Sequence, residues 1–311
     1  MSFVGRRLLQ LIPVAVGVTI VCFFMIHLIP GDPAETILGI HATPQKVALL
    51  HKQWGLDRSL AAQYWLFMDR LLHANLGTSL IYGTSASTLI WQRLPVTLWL
   101  IVYATVLAIL ISVPLAMIAA TRKDGLRDHA VRAVPLIGLG MPPFWVGFLL
   151  IYVFGIQEHW FPVSGYGQGF VGHLRSMFLP ALTVAIALSP VVIRSLRASM
   201  LNVLGADFIT TAKSKGVGGP RLFFRHVLRN AVIPAITVLG INIGFLIGGT
   251  VVVEYVFALP GAGQLMINSI FQRDFPVVQG VTLVFAVLVV LVNLMADMAY
   301  AALDPRVSFD R

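Results

Sequence analysis

The residues of this chain that could do chemistry are concentrated in one stretch. Between Ala206 and Asn230 the sequence reads ADFITTAKSKGVGGPRLFFRHVLRN. It sets Asp207, Lys213, Lys215, Arg221, Arg225, His226 and Arg229 among small residues and glycines, between long apolar runs. Such a segment is suited to being read by something in water rather than to making or breaking bonds. Catalysis inside apolar runs needs a Ser/His, a paired-Asp or a His-Glu-x-x-His constellation, and only a single acid, Asp297, directly at the end of the last run, comes near that. The eight histidines, His27, His41, His51, His73, His129, His159, His173 and His226, are scattered, and no two of them form an i, i+4 His pair with a carboxylate nearby. The single cysteine, Cys22, excludes a disulfide within the chain and a cysteine-based metal site. No Gly-x-x-x-x-Gly-Lys-Ser/Thr pattern occurs, so the chain is not expected to bind or hydrolyse ATP itself. It carries no expected catalytic residue, metal or cofactor.

The elements around that stretch are set by composition. Hydrophobic residues are 58% of the chain and charged residues 11%, against about 25% charged in soluble domains. Mean hydropathy is +0.86. Lipid is therefore the expected solvent. Crossing ~30 Å of hydrocarbon at 1.5 Å per residue takes roughly 20 residues. Runs free of Asp, Glu, Lys and Arg that meet or approach this length are Leu8–Ile29, Leu94–Thr121, Ala133–Gln157, Ser176–Ile193, Ala231–Val253 and Phe275–Ala296. They are continuously apolar, which excludes barrel strands. The expected fold is an all-α polytopic membrane protein of six transmembrane helices. The first run is followed directly by Pro30-Gly31-Asp32-Pro33 and no small-x-small cleavage site, so it is expected to be a retained helix.

Orientation follows from Lys and Arg. With the N-terminus inside, 15 of them fall on inner segments and 7 on outer ones. Both termini are then cytoplasmic. The same asymmetry accounts for the net charge of +9, with no aromatic–basic surface pattern to suggest nucleic acid. The expected organisation is 1–29 as N-terminus and first span, 30–93 as an outer helical segment, 94–303 as a five-span core containing the hairpin 206–230, and 304–311 as a cytoplasmic tail. In the outer segment, Thr43 can cap a helix with Pro44 at its first position, Val47, Leu50 and Trp54 on one face and Gly55 as its stop. A second helix follows Ser59, with Leu60, Tyr64, Met68 and Leu71 at helical spacing.

The hairpin itself reads as two short helices. Asp207 opens the first near the positive end of its dipole and Lys213 and Lys215 lie near the negative end. Gly216 suits the left-handed position that ends a helix, and Pro220 suits the first turn of the next. The second helix, Arg221–Arg229, places Arg221, Arg225 and Arg229 at a four-residue interval, with Leu222, Phe223 and Val227 turned to protein. A basic loop that merely enforces topology would look much the same.

The spacing adds more. Thr210-Thr211-Ala212-x-x-x-Gly216, nine residues, then His226-Val227-Leu228 resembles the EAA motif of ABC importer permeases. Thr210 stands where that motif has its first Glu, and Arg229 where it usually closes with Pro. The version here, Asp207-Phe208-Ile209-x-Thr211-Ala212-x-x-Lys215-Gly216 followed by His226-x-Leu228-Arg229-Asn230, resembles the dipeptide, oligopeptide and nickel permeases. So do His27-Leu-Ile-Pro-Gly-Asp-Pro33, Glu254-Tyr-Val-Phe257 with Pro260-Gly261-x-Gly263, Arg273-Asp-Phe-Pro-Val-Val-Gln-Gly280 and Ala302-Leu303-Asp304-Pro305-Arg306, in order along nearly the whole chain.

That resemblance implies a type I ABC importer permease in a bacterial or archaeal plasma (inner) membrane. Its partners would be a second related permease, two cytoplasmic ATPases that carry ATP and Mg, and an extracytoplasmic binding protein. The ATPase contact would fall on Asp207, Phe208, Ile209, Thr210, Thr211, Ala212, Lys213, Lys215 and Gly216. The cargo would be a small peptide or glutathione, with nickel or a metal chelate as the alternative and a gradient-driven secondary transporter as a remote one. Asn242, Gly244, Thr250 and Met141 are candidate path residues. The small residues of Gly240–Thr250 equally suit close helix packing, and Met141-Pro142-Pro143 should kink the third span. Asp297 has Arg306 as a candidate partner.

Overall fold

A computed structural model describes residues 3–28, 32–39, 42–79, 81–121 and 123–303. Among them there are helices and a single isolated bridge between Thr78 and Ser85, but no strand. The chain divides into two compact units, one of Met1–Thr97 with Pro260–Leu288 and one of Leu98–Leu259 with Val289–Arg311.

The first unit holds helices α1 (Phe3–His27), α2 (Pro33–Leu38), α3 (Pro44–Trp54) and α4 (Leu60–Leu72). It also holds α12 (Ala262–Phe271), the start of α5 (Ala86–Thr121) and the start of α13 (Phe275–Leu303). The short outer helices begin and end where their residue types require. Thr43 Oγ1 accepts the Lys46 N–H at 3.3 Å, Pro44 follows, and Gly55 takes φ +68°. Ser59 Oγ accepts the Ala62 N–H. Asp32 caps α2 through the Ala34 N–H and also accepts from His51 Nε2 on α3 at 2.9 Å. Burial works against the Asp32 carboxylate, but the hydrogen bonds from His51 and Ala34 prevail and hold its pKa below the usual range. The loop before α5 is fixed by a buried pair in which the Ser79 hydroxyl donates to Asp274. Burial raises the Asp274 pKa, against the pull of that hydrogen bond.

The centre of this unit is a glutamine that sequence periodicity passes over. Gln63 lies on α4 and is 7% exposed. Its Nε2 donates to Arg58 O at 2.8 Å and Leu56 O at 3.2 Å, and its Oε1 pairs with His27 Nε2 at 2.8 Å. His27 is thus a hydrogen-bonded packing residue that ties the end of α1 to α4. Gln63→Leu keeps the volume but leaves two carbonyls and an imidazole nitrogen without this partner. At about 1–3 kcal/mol for a buried polar group left unmade, α4 should loosen from α1. Limited proteolysis of segment 30–93 should then become several-fold faster than in the parent chain.

The second unit is organised around α8 (Gly169–Leu204). Around it lie the rest of α5, α6 (Leu126–Gly140), α7 (Pro143–Leu150) running on into the π-helical segment Ile151–Gln157, and the end of α13. The hairpin helices belong here too: α9 (Asp207–Ser214), α10 (Gly219–Leu222), the π-helical segment Phe223–Leu228 and α11 (Arg229–Val256).

Among the described residues, four helices are long and apolar enough to cross a membrane: Ala86–Thr121, Gly169–Leu204, Gly219–Val256 and Phe275–Ala302. Two apolar helices are shorter, Ile12–Met25 and Pro143–Gln157. The expected third span, Ala133–Gln157, is therefore not one helix. The expected kink is a break at Met141-Pro142, because Pro142 precedes Pro143 and is forced out of the helical region, to φ −60° and ψ 138°. The 18-residue run Ser176–Ile193, in contrast, is the inner part of a 36-residue helix that carries its arginines beyond the apolar stretch.

Candidate functional site: the basic hairpin

The hairpin is built from two helices of very different length. Helix α9 begins at Asp207, as its acidic first turn favours, and ends with Lys213 in its last turn. Gly216 then adopts φ +81°, a conformation that only glycine takes without strain. The second arm differs from expectation. Nothing ends the helix at Arg229, and Pro234 lies within it without stopping it, so the chain continues helical from Gly219 to Val256. The arm is the first part of a membrane-length helix rather than a separate short one.

Side chains sort cleanly by face. Ile209 is 0% exposed. It sits in a cluster with Ala116 and Ala120 of α5, Leu196 and Met200 of α8, and Val227 of the second arm. Leu222 and Phe223 join the same cluster. Ala212 packs against its edge. Phe208, Thr210, Thr211, Lys213, Lys215 and Gly216 are exposed, as is Asp207. Arg221, Arg225 and Arg229 are exposed along the opposite side of the second arm. The buried row Phe223, Val227, Ala231 and Ala235 keeps a four-residue interval. In an α-helix such a row would drift by about 40° per step. The π-helical segment Phe223–Leu228 closes on wider i→i+5 turns, which counter that drift and keep the row against the core. The outcome is a short helix seated on α5 and α8, with its other face free.

A second feature, not anticipated from the sequence, braces this seat. Asp128 on α6 is 0% exposed and accepts from Arg197 Nε and Nη2 on α8, both at 2.6 Å. It also accepts the Asp124 N–H, and Arg132 lies 3.6 Å away. The Arg197 hydrogen bond holds its pKa below the usual range against the opposing effect of burial, helped by the Asp124 N–H. Arg197 is adjacent to Leu196 of the hairpin's cluster, so the ion pair anchors α6 beside that core.

The candidate path residues are dispersed. The Asn242 amide donates to Val238 O, one turn back in its own helix, at 2.7 Å. Gly244 is buried, and a side chain there would meet Val289 at 3.5 Å and Asn293 at 3.7 Å. Thr250 is 0% exposed and donates to Ile247 O. Met141 is half-buried at the break between α6 and α7. Gly240 and Gly244 thus serve close packing, Gly240 against Ala296 of α13. The open face of α11 carries Ile241, Phe245, Gly248, Gly249 and Val252 instead. Asp297 is half-buried on α13, and Arg306 lies outside the described residues.

The described residues, all helical but for one bridge, with membrane-length helices and a seated basic hairpin, define a multi-pass helical membrane protein. Residues 112–309 match the model of the binding-protein-dependent transport system inner membrane component, and residues 1–101 match the N-terminal model of the same systems. The chain belongs to this family. It is 36% identical over 309 residues to the glutathione transport system permease protein GsiC of Salmonella choleraesuis, covering 99% of both chains. It is 37% identical over 314 residues to the oligopeptide transport system permease protein AppB of Bacillus subtilis, and 37% over 310 residues to a probable peptide ABC transporter permease of Sinorhizobium fredii, again covering 99% of each. A solved structure of the MetNI methionine ABC transporter in an inward-facing conformation superimposes with a TM-score of 0.58 at 16% identity, over 70% of this chain and 96% of that one. The fold is that of ABC importer permeases, and the chain is a multi-pass transport component of the membrane.

Proposed function

We propose that this chain is one of two related permease subunits of an ATP-driven importer, and that its cargo is a short peptide or glutathione delivered by an extracytoplasmic binding protein. The observation that carries this reading is the seating of α9. Ile209 and Ala212 hold the helix to the membrane helices while Phe208, Thr210, Thr211, Lys213 and Lys215 face outward. A helix so placed cannot be displaced without moving α8 and the helix Gly219–Val256 that flank it in the chain. ATP and Mg belong to two cytoplasmic ATPase subunits that dock on this helix, whose closure tilts those spans. The termini and the hairpin are cytoplasmic, in keeping with the distribution of Lys and Arg. The cargo class rests on the relatives, which include glutathione, peptide and oligopeptide permeases.

The test is reconstitution of the chain with its companion permease, ATPases and binding protein in proteoliposomes. Uptake of a labelled dipeptide or of glutathione should require ATP and the binding protein. Uptake that persists on an ion gradient without the ATPases sinks the importer reading. ATP-dependent uptake of neither cargo sinks the cargo assignment alone.

A further inference from the structure

We infer that a small cavity in the first unit, between α1, α4 and the start of α13, is a binding site for an oxyanion, a carboxylate or phosphate head held by Arg70. The cavity has a volume of about 60 Å³ and is lined by Arg70, His27, Gln63, Asn75 and Gln279 among apolar side chains such as Phe67. Roughly 10–15 Å³ of such volume is enough to hold one water, so the space admits a few water-sized groups, as a small anionic head presents.

The argument turns on which polar groups there are already engaged. Both His27 nitrogens are in hydrogen bonds, to Phe23 O and to Gln63, and the Gln63 amide is used on both sides. Gln279 Nε2 donates to Cys22 O at 2.6 Å. Arg70 differs. Its Nε donates to Leu66 O at 3.3 Å, and its terminal nitrogens make no ion pair or hydrogen bond among the described residues. A guanidinium has five N–H donors in a fork that matches two oxygens of one anion. No acidic residue lines the cavity. The neighbouring Asp69 is 70% exposed and lies 3.7 Å from His73 instead. Asn75 adds donors: its Oδ1 accepts the Gly77 N–H, which leaves its amide N–H groups open. Burial of Arg70 also works against its charged form and lowers its pKa, so an anion alongside would relieve a standing penalty. The ligand would draw together α4, the 75–77 loop and the first turns of α13.

This inference does not depend on the transport reading, and its test reads binding. The full chain in nanodiscs of neutral phosphatidylcholine is unfolded by heat while tryptophan fluorescence is followed. Sodium acetate or inorganic phosphate replaces chloride at constant ionic strength. The unfolding temperature should rise saturably, by roughly 2–4 °C, and Arg70→Gln should abolish the rise. Arg70→Lys keeps the charge without the fork, so its half-saturating concentration should be about tenfold higher. Nanodiscs containing phosphatidylglycerol form the second arm. An Arg70-dependent rise seen only there identifies a lipid phosphate as the source. No saturable rise in either arm, an equal rise in Arg70→Gln, or an unchanged half-saturation in Arg70→Lys would overturn the inference.

Discussion

Gly216→Val is expected to let the assembled transporter hydrolyse ATP while uptake falls about tenfold or more. The backbone at Gly216 sits at φ +81°, where a β-branched residue is a genuine outlier. Holding an L-residue in the left-handed region costs roughly 1–2 kcal/mol, and each 1.4 kcal/mol is a factor of about ten in a population. Apart from the two neighbours in the chain, no atom lies within 4 Å of where a Cβ would be placed. The substitution therefore disturbs no packing, and the chain should still insert and assemble. The strain is relieved by re-forming the turn that joins α9 to the second arm, which re-aims the exposed residues of α9. Gly216→Asn is the control, because asparagine tolerates positive φ and should retain most uptake. Parallel measurement of ATPase rate and uptake in proteoliposomes decides it. Full ATP-dependent uptake by the valine variant would remove α9 from the coupling mechanism.

Asp128→Asn should be the most destabilising single change in the second unit. It leaves the Arg197 guanidinium, 15% exposed, without its carboxylate. Breaking a buried pair from one side costs about 3–5 kcal/mol. The pH dependence has a definite sign. The Asp128 pKa is depressed in the fold, so its contribution is complete above the unfolded value near 3.9 and is lost as pH falls through the lower folded value. Unfolding curves of the parent chain should be insensitive to this group from neutral pH down to about pH 4 and should weaken below it. The Asn variant should lack that acid step. Asp128→Leu with Arg197→Met removes both charges and should recover much of the loss. If the double variant is no better than Asp128→Asn, then what matters at this position is not the ion pair.

Much of the candidate site was legible because its signals are local. The caps at Thr43 and Ser59, the stops at Gly55 and Gly216, and the arginine interval on the second arm all depend on neighbours in the chain. The spans were legible by hydropathy, but their ends were not. Charge marks where a helix leaves lipid, not where it stops, so α8 continues past Arg194 and Arg197, and the second arm continues through Arg229 into α11. Backbone chemistry stops a helix instead, as Pro143 does by forcing Pro142 out of it. Partners far apart in sequence left no trace in any window. Asp128 and Arg197 are 69 residues apart and Gln63 and His27 are 36 apart. Each looks like an ordinary polar residue until the fold joins them. The path candidates fared differently. Asn242 bonds to its own helix and Thr250 is enclosed, while the open strip of α11 is made of apolar and glycine positions that carry no polar signal.

The π-helical segment at Phe223–Leu228 makes chain length there a matter of angle. A turn of this kind holds one residue more than the α-turn it replaces. Loss of one residue between Phe223 and Leu228 would let the segment relax to an ordinary helix of nearly the same rise, but rotated by about 100°. Arg221 would swing toward the side now held by Leu222 and Phe223. A deletion in this short window therefore acts as a dial on the hairpin's direction alone, whereas in the spans beyond it the same rotation would come with a shift of about 1.5 Å along the helix axis.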